Sequence, residues 1–130
     1  MTKEEHINYW MNSAKHDLDA AEILYSSKKY DWCLFLGHLV LEKTIKAIYA
    51  NDNDNQIPPK THNLVRLSEQ TALKLSEEQK LLLNEVNDFN LEARYPDYKN
   101  SFRDKCSDEF AEEYFTRIKE LHKWLISRMK

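Results

Sequence analysis

Arg94, Tyr95, Asp97 and Tyr98 fall within five positions of one another, on the stretch Glu92-Ala-Arg-Tyr-Pro-Asp-Tyr98. A guanidinium beside phenol rings can hold a phosphate through two parallel N–H···O bonds while a base stacks on a ring. The same residues have a plain structural use. Arg94 in the last turn of a helix complements the helix dipole, worth about 0.3–1 kcal/mol, with Asp97 as its ion partner and the tyrosines as packing. Spacing alone leaves both uses open. A second group, Glu42, Lys43 and Lys46, lies in an apolar segment. Glu42 and Lys46 form a favourable i,i+4 pair worth about 0.3–0.5 kcal/mol. Charges on an otherwise apolar helix also need an exit to solvent or a partner, so they mark an open edge of the fold. His62, which follows Pro58-Pro59-Lys60-Thr61, is placed to reach that edge.

Other chemistries find less support. The histidines His6, His16, His38, His62 and His122 make no H-E-x-x-H or E-x-x-H pair, so no metal-ligand set is read. His38 sits mid-stripe in the apolar segment and reads as a hydrogen-bonded core imidazole. Cys33 and Cys106 form no C-x-x-C pair, which excludes a zinc ribbon and a thioredoxin-type redox site. Cys33 reads as a core thiol. Cys106, between Lys105 and Ser107 near a helix start, reads as a partly exposed thiol, with a depressed pKa as the reactive alternative. The single glycine, Gly37, rules out a glycine-rich phosphate loop. No catalytic residue, metal or cofactor is assigned.

The elements that position these residues are helical. Thr2-x-x-Glu5 is a capping box, and Ile7, Trp10, Ala14, Leu18, Ala21 and Leu24 recur behind it at steps of three and four. Ser26-Ser27-Lys28-Lys29 breaks that stripe. A second helix is expected from about Tyr30 to Ala50. Its apolar residues point to most sides, as in a helix buried by several neighbours. Gly37 in its middle implies a close backbone approach. Asn51 to Lys60 is a loop by composition. A short helix follows, with Leu64, Leu67 and Ala72 facing inward. Ser76-x-x-Gln79 is a second capping box, and Leu82, Val86, Phe89 and Ala93 form the next stripe. Pro96 ends that helix, because Tyr95 before it is pushed out of the helical region. Tyr95 to Lys105 is expected to be irregular. Ser107 or Asp108 then caps a last helix whose stripe is Phe110, Tyr114, Ile118, Leu121 and Leu125.

The chain has 130 residues, 42% hydrophobic and 32% charged, with a net charge of −3. That length and balance indicate one globular domain over residues 1–130, large enough to bury a core without disulfides. One glycine is too few for the positive-φ turns of a sheet protein, so the expected fold is all-α, an up-and-down bundle of four to five helices. Residues 1–93 carry 10 basic and 15 acidic side chains, whereas residues 94–130 carry 9 and 7. The shift toward positive charge after Arg94 suits a local anion pocket and not an extended nucleic-acid platform. The charged start carries no signal-peptide core, and the apolar run Trp32 to Leu41 is too short to span a bilayer. A cytoplasmic protein with reduced thiols and no membrane contact is the expectation.

Taken in order, several of these residues resemble a known family. Trp10-x3-Ala14-x2-Asp17-Leu18-x2-Ala21-x2-Leu24, Tyr30-x4-Phe35 and Glu42-Lys43-x2-Lys46-Ala47 resemble the HEPN domain of prokaryotes and higher eukaryotes. His62-x-Leu64-x2-Leu67 and Ala93-Arg94-Tyr95-Pro96-Asp97 match its later landmarks. The resemblance implies a four- to five-helix bundle, a homodimer, nucleotide or RNA binding, and a minimal nucleotidyltransferase as partner. Ligand contacts are then expected at Arg94, Tyr95, Asp97 and Tyr98, with Lys43, Lys46 and His62 as further contributors. HEPN ribonucleases, including toxins of toxin–antitoxin pairs, share an R-x4-6-H motif. No histidine follows Arg94 at that spacing. Arg117 and His122 match R-x4-H literally, but a five-residue step along a helix turns the two side chains onto different faces. The expected protein is therefore a non-catalytic phosphate binder. A ribonuclease using Arg94 with Tyr98 or Asp97, and a module that serves only to contact a partner through Trp32, Tyr95, Tyr98 and Trp124, are the alternatives.

Overall fold

A computed structural model describes residues 2–54, 56–97 and 100–129. Among them are six helices and no strand: α1 (Lys3–Ser26), α2 (Tyr30–Asp52), α3 (Leu64–Ser68), α4 (Glu77–Arg94), α5 (Ser101–Lys105) and α6 (Asp108–Ser127). The helix starts follow the local chemistry of the sequence. Both capping boxes form, Thr2 with Glu5 and Ser76 with Gln79, and Ser107 caps α6 by accepting from Phe110 N. Helix α4 ends at Arg94, with Tyr95 as its cap ahead of Pro96.

The apolar helix α2 occupies the centre and packs against each of the other helices. Its buried residues include Cys33, Leu34, His38, Leu41, Ile45 and Ile48, which meet Leu64 and Leu67 of α3, Val86 and Phe89 of α4, and Phe115, Ile118 and Leu125 of α6. Gly37 lies where α6 crosses: a Cβ there would fall 2.9 Å from Ile118 Cδ1, inside contact distance. The N-terminal ends of α2 and α6 are joined by Tyr30 Oη, which donates to Asp108 Oδ1 at 2.6 Å. Tyr30 is consequently pushed up to about 12, chiefly because the hydrogen bond to Asp108 holds its proton.

Four features depart from expectation. Ala72 is exposed rather than inward, because α3 ends at Ser68 and the chain turns away. Residues 101–105, expected to be irregular, form α5. Phe102 is buried there against Phe89, with ring centroids 5.5 Å apart, and Asp97 accepts from Ser101 N and Oγ at 2.9 and 2.7 Å. Cys106 is buried rather than partly exposed. Burial, followed by the nearby Asp31 and Glu92 charges, pushes its thiol up to about 12, the reverse of a reactive cysteine. Glu42 does not mark an open edge. The segment carrying His62 closes over it, and its side chain is 5% exposed. Among the described residues no helix is long and apolar enough to cross a membrane.

Candidate functional site

Asn87, Asn90, Leu91 and Arg94 recur at steps of three, one and three along α4, so they share one face of the helix. That face meets the segment entering α3. Asn63 caps α3 by accepting from Arg66 N at 3.1 Å. Asn87 Oδ1 accepts from Leu64 N at 2.9 Å, while its amide donates to Asn63 Oδ1 at 3.3 Å. These bonds fix the α3 entry against α4. Between the two elements lies a cavity of about 160 Å³ lined by His62, Asn63, Asn87, Asn90, Leu91 and Arg94.

The floor of this region is a buried polar network on α2. Glu42 Oε1 lies 2.7 Å from His62 Nδ1, and Oε2 accepts from Lys46 Nζ at 3.0 Å. Burial alone would push the Glu42 carboxyl up. The hydrogen bonds from His62 and Lys46, with the Lys46 charge, outweigh it and hold the group below its ordinary value. Glu42 is thus an ionised acceptor, and His62 Nδ1 is the donor to it. His38 is fully buried, and its Nε2 lies 2.8 Å from the His62 carbonyl oxygen. A carbonyl only accepts, so this Nε2 carries the proton and Nδ1 accepts from Asn90 Nδ2 at 3.2 Å. Desolvation keeps His38 below the usual imidazole range, so it acts as a neutral strut between α2, α4 and the His62 segment.

Arg94 is exposed and makes no ion pair with a described residue. Its Nη2 donates to Tyr95 Oη at 3.4 Å, and its Cζ lies 5.1 Å from the Tyr95 ring centroid, a cation–π arrangement. Tyr95 itself is 70% exposed. Of the sequence-expected ligand residues, the cavity brings together Arg94 and His62, with Tyr95 stacked at its edge. Asp97 and Tyr95 line a neighbouring hollow with Glu92, Ser101 and Phe102. Tyr98 lies outside the described residues. Lys43 and Lys46 do not line the cavity. Lys43 Nζ forms an ion contact with Asp17 Oδ2 at 2.7 Å, and Lys46 is held between Glu42 and the Trp10 ring, 5.0 Å from its centroid.

The literal R-x4-H pair also separates. His122 is buried, with Nδ1 3.0 Å from Thr44 Oγ1. Thr44 spends its own proton on the Val40 carbonyl, so His122 donates to it. Arg117 faces the other way, pairing with Glu113 at 3.4 Å and stacking on Tyr114. Among the described residues, no group of three or more His, Cys, Asp or Glu side chains could hold a metal ion.

The sequence reading passed over Asn63, Asn87 and Asn90, and it treated Glu42 as an edge charge. The available signal was the α4 stripe itself: two asparagines and an arginine share a face with Leu91, beside the face that carries Leu82, Val86, Phe89 and Ala93. A buried asparagine flanked by core residues has to be held by specific partners.

No curated protein and no solved structure matched the chain. A family model described as the HEPN domain matches residues 7–129, almost the whole length. With an all-helical bundle around α2 and Arg94 at the end of α4, the chain belongs to the HEPN domain family.

Proposed function

We propose that this HEPN protein is a non-catalytic binder of a nucleotide or RNA phosphate, acting as a homodimer and paired with a minimal nucleotidyltransferase. The observation that carries the binding site is Arg94, a guanidinium with no ionic partner among the described residues, at the mouth of a cavity lined by an imidazole and three amides. A single charged hydrogen bond contributes about 1.5–3 kcal/mol, short of the roughly 4.1 kcal/mol that corresponds to millimolar affinity. His62, Asn63, Asn87 and Asn90 supply the additional groups, and the exposed Tyr95 ring supplies a stacking surface for a base that the cavity is too small to enclose. Asp97 lines the adjoining hollow with Tyr95, and Tyr98 follows it in the sequence. Lys46 contributes by neutralising Glu42 rather than by touching the ligand.

Isothermal titration with ATP, GTP and a short RNA tests this reading. Saturable binding is expected for the wild type, weakened at least tenfold in Arg94→Ala, on the order of 1.5 kcal/mol or more. Absence of saturable heat at millimolar ligand would remove it. The joint presence of a guanidinium and an imidazole in one cavity supports a second reading, RNA cleavage. Incubation of total RNA with wild type and Arg94→Ala separates the two: undegraded RNA in both lanes disposes of cleavage and leaves binding.

A further inference from the structure

The hydrogen bond between Glu42 and His62 has a consequence for what the cavity selects. An imidazole that donates from Nδ1 to a carboxylate keeps Nε2 as its other polar atom, and the two ring nitrogens point in divergent directions. Nδ1 is committed to Glu42 Oε1 at 2.7 Å, which leaves Nε2 as the ring's remaining polar atom on a residue that lines the cavity. In the neutral ring that Nε2 is a hydrogen-bond acceptor. His62 lines the same cavity as Arg94, which only donates, beside the Asn63, Asn87 and Asn90 amides. The amides are partly spent: Asn87 and Asn63 hold each other and the α3 entry, and Asn90 holds His38. The guest therefore meets a cationic donor and, next to it, one imidazole acceptor.

A fully ionised phosphate ester without a neighbouring hydroxyl satisfies the guanidinium but brings only acceptor oxygens to Nε2. A phosphate ester with a hydroxyl on the neighbouring carbon satisfies both, since its phosphate oxygens accept from Arg94 while its hydroxyl donates to Nε2. The volume of about 160 Å³ is well below that of a site enclosing a whole drug-sized ligand, and it suits a phosphate with part of a sugar. We infer that Glu42 is a positioning residue that fixes His62 as a hydrogen-bond acceptor, so that the cavity selects a phosphate bearing an adjacent hydroxyl, as a 3′-phosphorylated ribose does, over its deoxy counterpart. This rests on the reading of the cavity as a phosphate site. The exposed His62 ring is anchored on buried parts, Glu42 and His38. Glu42 is held by Lys46 on its other oxygen, and the His62 carbonyl is anchored by His38, so ring and backbone of His62 are fixed independently.

The test compares adenosine 3′-monophosphate with 2′-deoxyadenosine 3′-monophosphate by titration at pH 8, alongside the ¹⁵N signature of the His62 ring. Wild type is expected to favour the ribonucleotide about three- to tenfold, the worth of one neutral hydrogen bond. Arg94→Ala should weaken both ligands and keep the ratio. Glu42→Leu, which removes the acceptor for Nδ1, should bring the ratio to within about twofold of unity, while Glu42→Gln, which keeps an acceptor oxygen, should retain most of it. The ¹⁵N spectrum of wild type should show the proton on Nδ1 and a bare Nε2, and this measurement stands even where Glu42→Leu fails to fold. Equal affinity of wild type for the two nucleotides, a ratio unchanged in Glu42→Leu, or a proton on Nε2 overturns the inference. Failure of both nucleotides to bind, with the Nδ1 proton in place, instead overturns the phosphate site on which it rests.

Discussion

Arg117 and His122 show how one helix can carry a motif-like spacing that its geometry takes apart. His122 points into the bundle onto Thr44, and Arg117 points out onto Glu113. Arg94 and His62, 32 positions apart in the chain, share a cavity instead. Both were recognisable as candidates from residue type and neighbours. What spacing could not show was which charges are already spent. Lys43 and Lys46, expected at the ligand, are held by Asp17 and Glu42; the Glu42–Lys46 i,i+4 pair looks the same in sequence whether it is buried or solvated, and the Lys43–Asp17 contact joins two helices. The cysteines give a direct check at this scale. Burial is the main cause raising Cys33 and Cys106 to about 12, so neither is a thiolate at neutral pH. At pH 8 a thiol reagent such as Ellman's should react far more slowly with the folded protein than after unfolding in urea. Rapid stoichiometric labelling of the native chain would contradict the burial of both.

Helices α2 and α6 approach closely at Gly37. A methyl group added at Gly37 gains about 1 kcal/mol of helix propensity but meets Ile118 Cδ1 at 2.9 Å and Cγ2 at 3.4 Å. Overpacking of this kind costs about 1–3 kcal/mol. Gly37→Ala should therefore destabilise the protein by up to about 2 kcal/mol, and the loss should shrink or reverse in an Ile118→Val background that lacks Cδ1. Urea unfolding of the two single variants and the double variant measures that coupling, and strict additivity would exclude the contact as the reason for the glycine. The long helices were legible because their stripes and caps are local. Helix α5 was not. Its five residues are too few for a periodic pattern, and its stability comes from Phe102 lying on Phe89 and from Asp97 holding Ser101. The α4 asparagines were missed for a related reason: the partners of Asn87 arrive from the α3 entry and that of Asn90, His38, from α2, all more than 20 residues away.

Across the whole molecule, the buried imidazoles set the response to acid. Desolvation holds His38 and His122 below the ordinary value of 6.5. The unfolded chain therefore takes up protons near pH 6.5 that the folded chain refuses, and stability falls as pH drops below that value. Glu42, held below its ordinary 4.5, adds stability that is present above that value and is lost only as pH falls through its lower folded pKa. Urea midpoints measured from pH 7.5 to 5 should decline, with the decline setting in near 6.5; a flat profile would mean that the imidazoles titrate in the fold as they do in the open chain. The bundle also lacks uniform support. Helix α1 rests mainly on α2, and of its residues only Ala14 and Ala21 are fully enclosed. A flap fastened along one seam lifts before the rest of the structure yields. Its amide hydrogens should exchange with deuterium sooner than those of α2, through a partial opening that wets the Asp17–Lys43 contact and leaves the α3–α4 corner shut.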